Sequence, residues 1–237
     1  MYNMRIMKER HLITYPGFAE GKDAKGLYTE LEGLHDRKYG GNYDVHILPF
    51  YEQNTDADKV VRSIGEHVSI LQAYMDSLDG EITVIGKCGG SRVVVSMDEE
   101  HIARTERIAL INIPPWKGNR LGVEKMIHGW GGGPVGDDGT WYIPRDATGS
   151  KRYVVENDYL DEVDGFDTLD RCRLIARSPS AELYIVRGMK DEVVRVVDTD
   201  EIPGAKFIDI ENGDHHLTGA SRQIALSALA NHGVLER

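Results

Sequence analysis

Six short apolar runs alternate along this chain with stretches whose apolar residues recur at helical spacing. The runs cover residues 11–15, 45–48, 82–85, 108–113, 183–186 and 207–210. Pro16-Gly17, Pro49 and Pro114-Pro115 close three of them, since proline offers no N–H to a strand ladder and favours a turn. Leu27, Leu31 and Leu34 mark a helix over 24–35. Val60, Val61, Ile64, Val68, Leu71, Met75 and Leu78 mark another over 55–78, with Asn54 or Thr55 as its cap and Asp79-Gly80 as its end. Further helical patterns cover 91–97 and 224–229. Strands alternating with helices demand parallel pairing, right-handed crossovers and a sheet covered on both faces. The expected class is α/β, with a mostly parallel six-stranded sheet flanked by helices.

Residues 117–180 interrupt this alternation. They hold a glycine-rich segment over 129–139, Trp130 and Trp141, and an acidic helical pattern over 159–176. At 237 residues the chain suits one domain over 1–237, with 117–180 as a lid or cap inserted between strands.

Hydrophobic residues make up 41% and charged residues 28%, which fits a globule with a packed core. The net charge of −11 argues against a phosphate-binding surface, so no nucleic-acid partner is expected. No run approaches the length of a membrane span, and the first ten residues lack the apolar core of a signal peptide. Cys88 and Cys172 form neither a CxxC pair nor a disulfide framework. A cytoplasmic, reduced protein follows as the expectation, with no membrane partner, no metal and no cofactor.

The chemistry-bearing motif is Gly86-Lys87-Cys88-Gly89-Gly90, placed where an apolar strand gives way to a helix. A nucleophile on so tight a bend needs strained dihedrals and close backbone approach, and flanking glycines remove the Cβ atoms that would clash. The helix that follows aims free N–H groups at the sulfur, which favours thiolate. Such a cysteine needs a base and a group that orients the base. In a parallel sheet, loops after later strands converge on the same rim. The loop after the fifth run carries Asp191 and Glu192, and the loop after the sixth carries His215 and His216.

Pro16-Gly17-Phe18, Gly86-x-Cys88-x-Gly90, Gly188-Met-Lys-Asp191 and Gly213-Asp-His215 together resemble the α/β-hydrolase fold family over nearly the whole chain. Within it the bend is similar to the cysteine box of dienelactone hydrolases and polyhydroxyalkanoate synthases. The resemblance implies a triad of Cys88, Asp191 and His215, with Glu192 the lesser candidate for the acid. His215 is implied over His216 because it stands two before the apolar Leu217. An oxyanion hole from the backbone N–H groups of Phe18 and Gly89 is implied as well, with Gly86 and Gly90 framing the bend. The chain departs from the family in carrying Pro16-Gly17 where His-Gly is usual, in lacking two leading strands, and in using cysteine where serine is commoner. The activity implied is hydrolysis of a small ester, lactone or thioester through an acyl thioester. Acyl transfer to an alcohol, amine or thiol is the first alternative. A non-catalytic small-molecule receptor is the second.

Other features have plainer readings. Cys172 sits in a helical pattern beside Leu169 and Leu174 without a glycine frame, as a core residue would. Asp214, His215 and His216 lack the spacing of a metal site. The glycine-rich segment lacks the Gly-Lys-Ser/Thr ending of a phosphate loop and reads as a flexible lid. Trp116, Trp130 and Trp141 suit either a pocket wall or the core. Lys87, Arg92, Arg187 and Arg195 are candidates to hold a substrate carboxylate. His11, His46 and His67 fall within strand or helix patterns, and no function attaches to them.

Overall fold

The computed structural model describes residues 9–18, 27–32, 43–53, 59–114, 117–135, 137–144 and 153–235. Its strands are β1 (Arg10–Tyr15), β2 (Tyr43–Ile47), β3 (Glu52–Gln53), β4 (Lys59–Val61), β5 (Glu81–Lys87), β6 (Thr105–Ile111), β7 (Gly133–Val135), β8 (Thr140–Ile143), β9 (Tyr153–Val155), β10 (Glu182–Gly188) and β11 (Lys206–Ile210). Its helices are α1 (Leu27–Glu32), α2 (Ile64–Asp76), α3 (Gly89–Val95), α4 (Glu99–Arg104), α5 (Arg120–Gly129), α6 (Asn157–Val163), α7 (Thr168–Ala176) and α8 (Ala220–Asn231).

The six apolar runs become one all-parallel sheet in the order β11-β10-β6-β5-β1-β2. Its central strands are buried on both faces, so they read as continuous apolar runs without polar alternation. Neighbouring residues nevertheless serve different cores. Ile13, Val84, Ile108, Leu110 and Ile185 pack with α2, α3 and α7 on one face. Leu12, Ile85, Ala109, Ile111 and Val186 pack with α1 and α8 on the other. Strand periodicity alone divides them. The helices cover both faces, and the carboxyl ends of β5, β10 and β11 are left to carry loops along one rim.

Two expectations are corrected. The helix expected over 55–78 begins only at Ile64, where the Ser63 side chain accepts from the Glu66 amide at 3.1 Å. Lys59-Val60-Val61 instead pairs in parallel with Tyr153–Val155, because β-branched residues with an extended partner available favour the strand. The expected caps Asn54 and Thr55 lie outside the described residues. The single acidic helical pattern over 159–176 is two helices, α6 and α7, separated by Gly165 at φ 77°. The glycine-rich segment is built largely as the end of α5 and the antiparallel hairpin β7–β8. That hairpin joins β9, β4 and β3 in a second, five-stranded sheet. There Lys59 is buried, with its ammonium 4.3 Å from the Tyr51 ring centroid and 3.4 Å from the Tyr153 hydroxyl. No helix among the described residues is long and apolar enough to cross a membrane.

Candidate active site

Cys88 follows the last residue of β5 and stands at the N-cap of α3. Its backbone has φ 47° and ψ −118°, a conformation costly for any residue with a Cβ. The surrounding contacts hold it there. The Cys88 amide donates to the Ile111 carbonyl at 2.9 Å, and its own carbonyl accepts from the Ser91 amide at 3.0 Å. A Cβ on Gly90 would overlap the carbonyls of Tyr15 and Pro16, and one on Gly86 would come within 2.9 Å of the Ser91 Cα. Only glycine lets β1, β5 and α3 approach so closely. The bend is thus set by main-chain packing, and Cys88 as a residue is left partly exposed.

His215 is hydrogen-bonded to Cys88 through its side chain. Its Nδ1 lies 2.9 Å from Asp191 Oδ2 and 3.1 Å from Oδ1. The Asp191 carboxylate is fixed in turn, with Oδ1 accepting from the amides of Val193 and Val194, each at 2.8 Å. His215 and Asp191 are both buried. Burial works against the imidazolium, but the hydrogen bonds to Asp191 and Cys88, reinforced by their charges, outweigh it and push the His215 pKa up to about 9. The imidazole therefore holds a proton at neutral pH.

The competing residues point elsewhere. His216 turns its Nδ1 toward the Lys87 ammonium at 3.4 Å and packs edge-on to His215. Glu192 accepts from the His215 main-chain amide at 3.4 Å and does not reach the ring. Cys172 is fully buried in α7, and burial drives its thiol up to about 12. Of the four cations, Arg187 is forked onto Asp209 at 2.6 and 2.7 Å, and Arg195 onto Glu201. Arg92 is buried in α3 beside Tyr159, whose hydroxyl senses the charges of both Arg92 and Cys88.

Phe18 closes the other side of the bend. Its main-chain nitrogen stands 3.1 Å from where a Gly89 Cβ would be, so the Phe18 and Gly89 amides are neighbours beside Cys88. Among the described residues the Phe18 amide has no acceptor. The Phe18 ring contacts Tyr159 at 5.1 Å, and Phe50 and Trp130 at 6.1 Å between centroids. Trp130 and Tyr159 both come from the 117–180 segment, which thereby lies against this edge of the site. Trp141 packs partly buried against the core, and Trp116 lies outside the described residues.

One residue was not singled out by its sequence pattern. Asn112, just past β6 and at φ 48°, binds the loops that carry both the acid and the histidine. The available signal was a polar amide ending an otherwise apolar strand.

No protein-family model matches the sequence, and no curated protein is significantly similar to it. Solved structures match over nearly its whole length. The esterase domain of a Rhodothermus marinus protein superposes with a TM-score of 0.59 at 14% identity, covering 97% of this chain and 90% of that one. The alpha/beta hydrolase GrgF from Penicillium sp. sh18 gives 0.58 at 14%, covering 95% and 91%. The haloalkane dehalogenase DpaA from Paraglaciecola agarilytica NO2 gives 0.59 at 12%, covering 95% and 83%. An esterase and a dehalogenase share these likenesses, so at such identities they speak to architecture and not to substrate. With its parallel six-stranded sheet and the strand–bend–helix at Cys88, the chain has the α/β-hydrolase fold.

Proposed function

We propose that the chain is a hydrolase that cleaves an ester, lactone or thioester of a small acid by way of a Cys88 acyl thioester. The observation that carries this reading is Cys88, held at positive φ and hydrogen-bonded to His215, which is backed by the buried carboxylate of Asp191. The solved structures of like fold include esterases, which agrees with it.

In this reading the protonated His215 stabilises Cys88 as a thiolate, and the pair rests as thiolate and imidazolium. The sulfur attacks the substrate carbonyl carbon, and the electron pair of the C=O bond moves to oxygen. Amide hydrogens of Phe18 and Gly89 meet that oxyanion, each such donor typically lowering the barrier by about 3–4 kcal/mol. As the tetrahedral adduct collapses, His215 passes its proton to the departing alcohol or thiol, leaving the thioester. Sulfur has then lost the charge that helped hold that proton, so neutral His215 serves as base for water. Attack by water and expulsion of the thiolate release the acid and restore the pair. Asp191 keeps the ring in the tautomer that points its other nitrogen at sulfur.

The test is a panel of esters, lactones and acyl thioesters, with mass spectrometry of the quenched protein. Wild type accumulates a protein-bound acyl group on Cys88, and Cys88→Ala neither traps acyl nor turns over. Full turnover by the alanine variant removes the proposal. Acyl products appearing only with an added alcohol, amine or thiol would establish transfer in place of hydrolysis.

A further inference from the structure

At the opposite end of the sheet from Cys88, three potential metal ligands converge on one face. β1 and β2 are paired so that His11 stands directly across from Asp44, and Ile13 across from His46. Asp44 and His46 are two residues apart on a strand, so the pleat turns both to the side that His11 occupies. His11 Nδ1 and His46 Nε2 are 3.2 Å apart. Asp44 Oδ2 lies 3.5 Å from His46 Nε2 and 4.0 Å from His11 Nδ1. The equidistant point in the plane of these three atoms, fixed by their separations, lies about 2.1 Å from each, within the range of zinc–nitrogen and zinc–oxygen bonds.

The outer contacts also suit metal ligation. A ligating imidazole commonly donates its other N–H to an oxygen, which sets its tautomer. His11 Nε2 lies 2.8 Å from the Asp79 carbonyl, an oxygen that only accepts, so Nε2 carries the hydrogen and Nδ1 offers a lone pair. His46 Nδ1 lies 2.8 Å from the Tyr74 hydroxyl. Both oxygens come from α2 and the turn behind it. The two histidine side chains are nearly buried, 6% and 12% exposed, whereas that of Asp44 is 62% exposed. An ion could thus enter past the carboxylate and keep a water as its fourth ligand.

We propose that His11, Asp44 and His46 bind one borderline divalent transition-metal ion, with Zn²⁺ the reference case, clipping edge strand β2 to β1 and α2. Without metal, Tyr74 donates to His46 Nδ1, and His46 Nε2–H donates to the His11 Nδ1 lone pair. Metal entry needs the other His46 tautomer. The ring proton then sits on Nδ1 and is donated to Tyr74, whose hydroxyl turns from donor to acceptor. Nε2 is freed for the ion, and no net proton is released. The two histidines, one carboxylate and water make a set suited to zinc, with Ni²⁺ and Cu²⁺ as competitors.

The experiment uses the full chain carrying Cys88→Ala, which removes the exposed thiol as a rival ligand. Zn²⁺ titration followed by gel filtration and metal analysis is expected to retain one equivalent per chain. Asp44→Asn and His46→Gln, each added to that background, should weaken Zn²⁺ binding at least about tenfold. Cobalt should give the visible absorption of a tetrahedral site, lost in the same two variants. Asp44→Asn changes an exposed side chain, so a folded variant is available even if His46→Gln misfolds. The proposal is overturned if the Cys88→Ala chain retains no zinc, as a purely hydrogen-bonded histidine pair would require. It is equally overturned if folded Asp44→Asn and His46→Gln chains bind zinc as tightly as their parent, which would put the ion elsewhere.

Discussion

The side-chain amide of Asn112 donates to the main-chain carbonyl of His215 at 3.0 Å. It also donates to the Asp214 carbonyl at 3.1 Å, while its Oδ1 accepts from the Gly188 amide at 2.7 Å. One side chain at the end of β6 therefore ties the loop after β10, which carries Asp191, to the loop after β11, which carries His215. The two loops can come this close only because Gly188 has no Cβ, which would sit 2.6 Å from the Gly213 carbonyl oxygen. The distance between acid and histidine is thus governed from a third strand.

Asn112→Gly tests this clamp while keeping a residue tolerant of positive φ. Losing the amide takes this partner from the Gly188 N–H and the His215 carbonyl, while the Asp214 carbonyl keeps the Leu217 amide at 3.2 Å, and the cost is about 1–3 kcal/mol in stability. The expected kinetic effect on the best ester substrate is a fall in kcat of about tenfold or more with KM nearly unchanged. The alkaline limb of the pH–rate profile should shift with it, because the His215–Asp191 contact loosens. An unchanged kcat and pH profile would show that the clamp plays no part in catalysis.

Iodoacetamide should distinguish the two thiols. Cys88 is partly exposed and paired with a protonated His215, so its alkylation at pH 7 should be fast and stoichiometric. His215→Asn should slow it at least about tenfold. Cys172, sealed in α7 with its thiol pushed up to about 12, should react only on unfolding. Mass spectrometry of the modified peptides decides the matter, and equal rates at the two sites would contradict the arrangement.

Two histidines set opposite limbs of the stability curve. Burial, helped by the nearby Arg62 charge, pulls the His67 pKa down to about 4. Between about 6.5 and 4 the unfolded chain takes up the proton more readily, so stability falls as the pH drops through that window. His215 has the opposite sign. Its pKa is raised to about 9, so the stability it contributes is fully present below about 6.5 and disappears as the pH climbs through 9. Thermal stability should accordingly rise with pH through the His67 window, while the His215 contribution is read against the titration of its Cys88 partner. His67→Gln should flatten the acid side and His215→Asn the alkaline side, and melting curves on which neither variant alters the pH slope would refute both assignments.

The bend at Cys88 should tolerate no added methyl group on its inner side. Gly90→Ala drives a Cβ into main-chain carbonyls of β1 and the loop after it, and a destabilisation of at least about 2 kcal/mol is expected in denaturant unfolding. Gly129→Ala is the internal contrast. It lies at the end of α5 with nothing near the new Cβ, and should be neutral or stabilising by up to about 1 kcal/mol. Similar effects at the two sites would mean that the close packing around Gly90 is unimportant.

Sequence alone determined the six parallel strands, because burial on both faces writes each one as an uninterrupted apolar run. It also determined that Cys88 stands at a strand-to-helix bend, and that Asp191 and His215 follow later strands onto the same rim. Local chemistry is enough for those features, since glycine spacing and strand ends are properties of short segments. Only the tertiary structure decided that Lys59-Val60-Val61 is a strand, for its pairing partner lies more than ninety residues away in β9. The same is true of His215 meeting Asp191 while His216 turns to Lys87, and of Asn112 holding two loops from a third strand. These outcomes depend on which distant groups arrive together, and hydrogen bonds between loops far apart in the chain leave no periodicity in either loop.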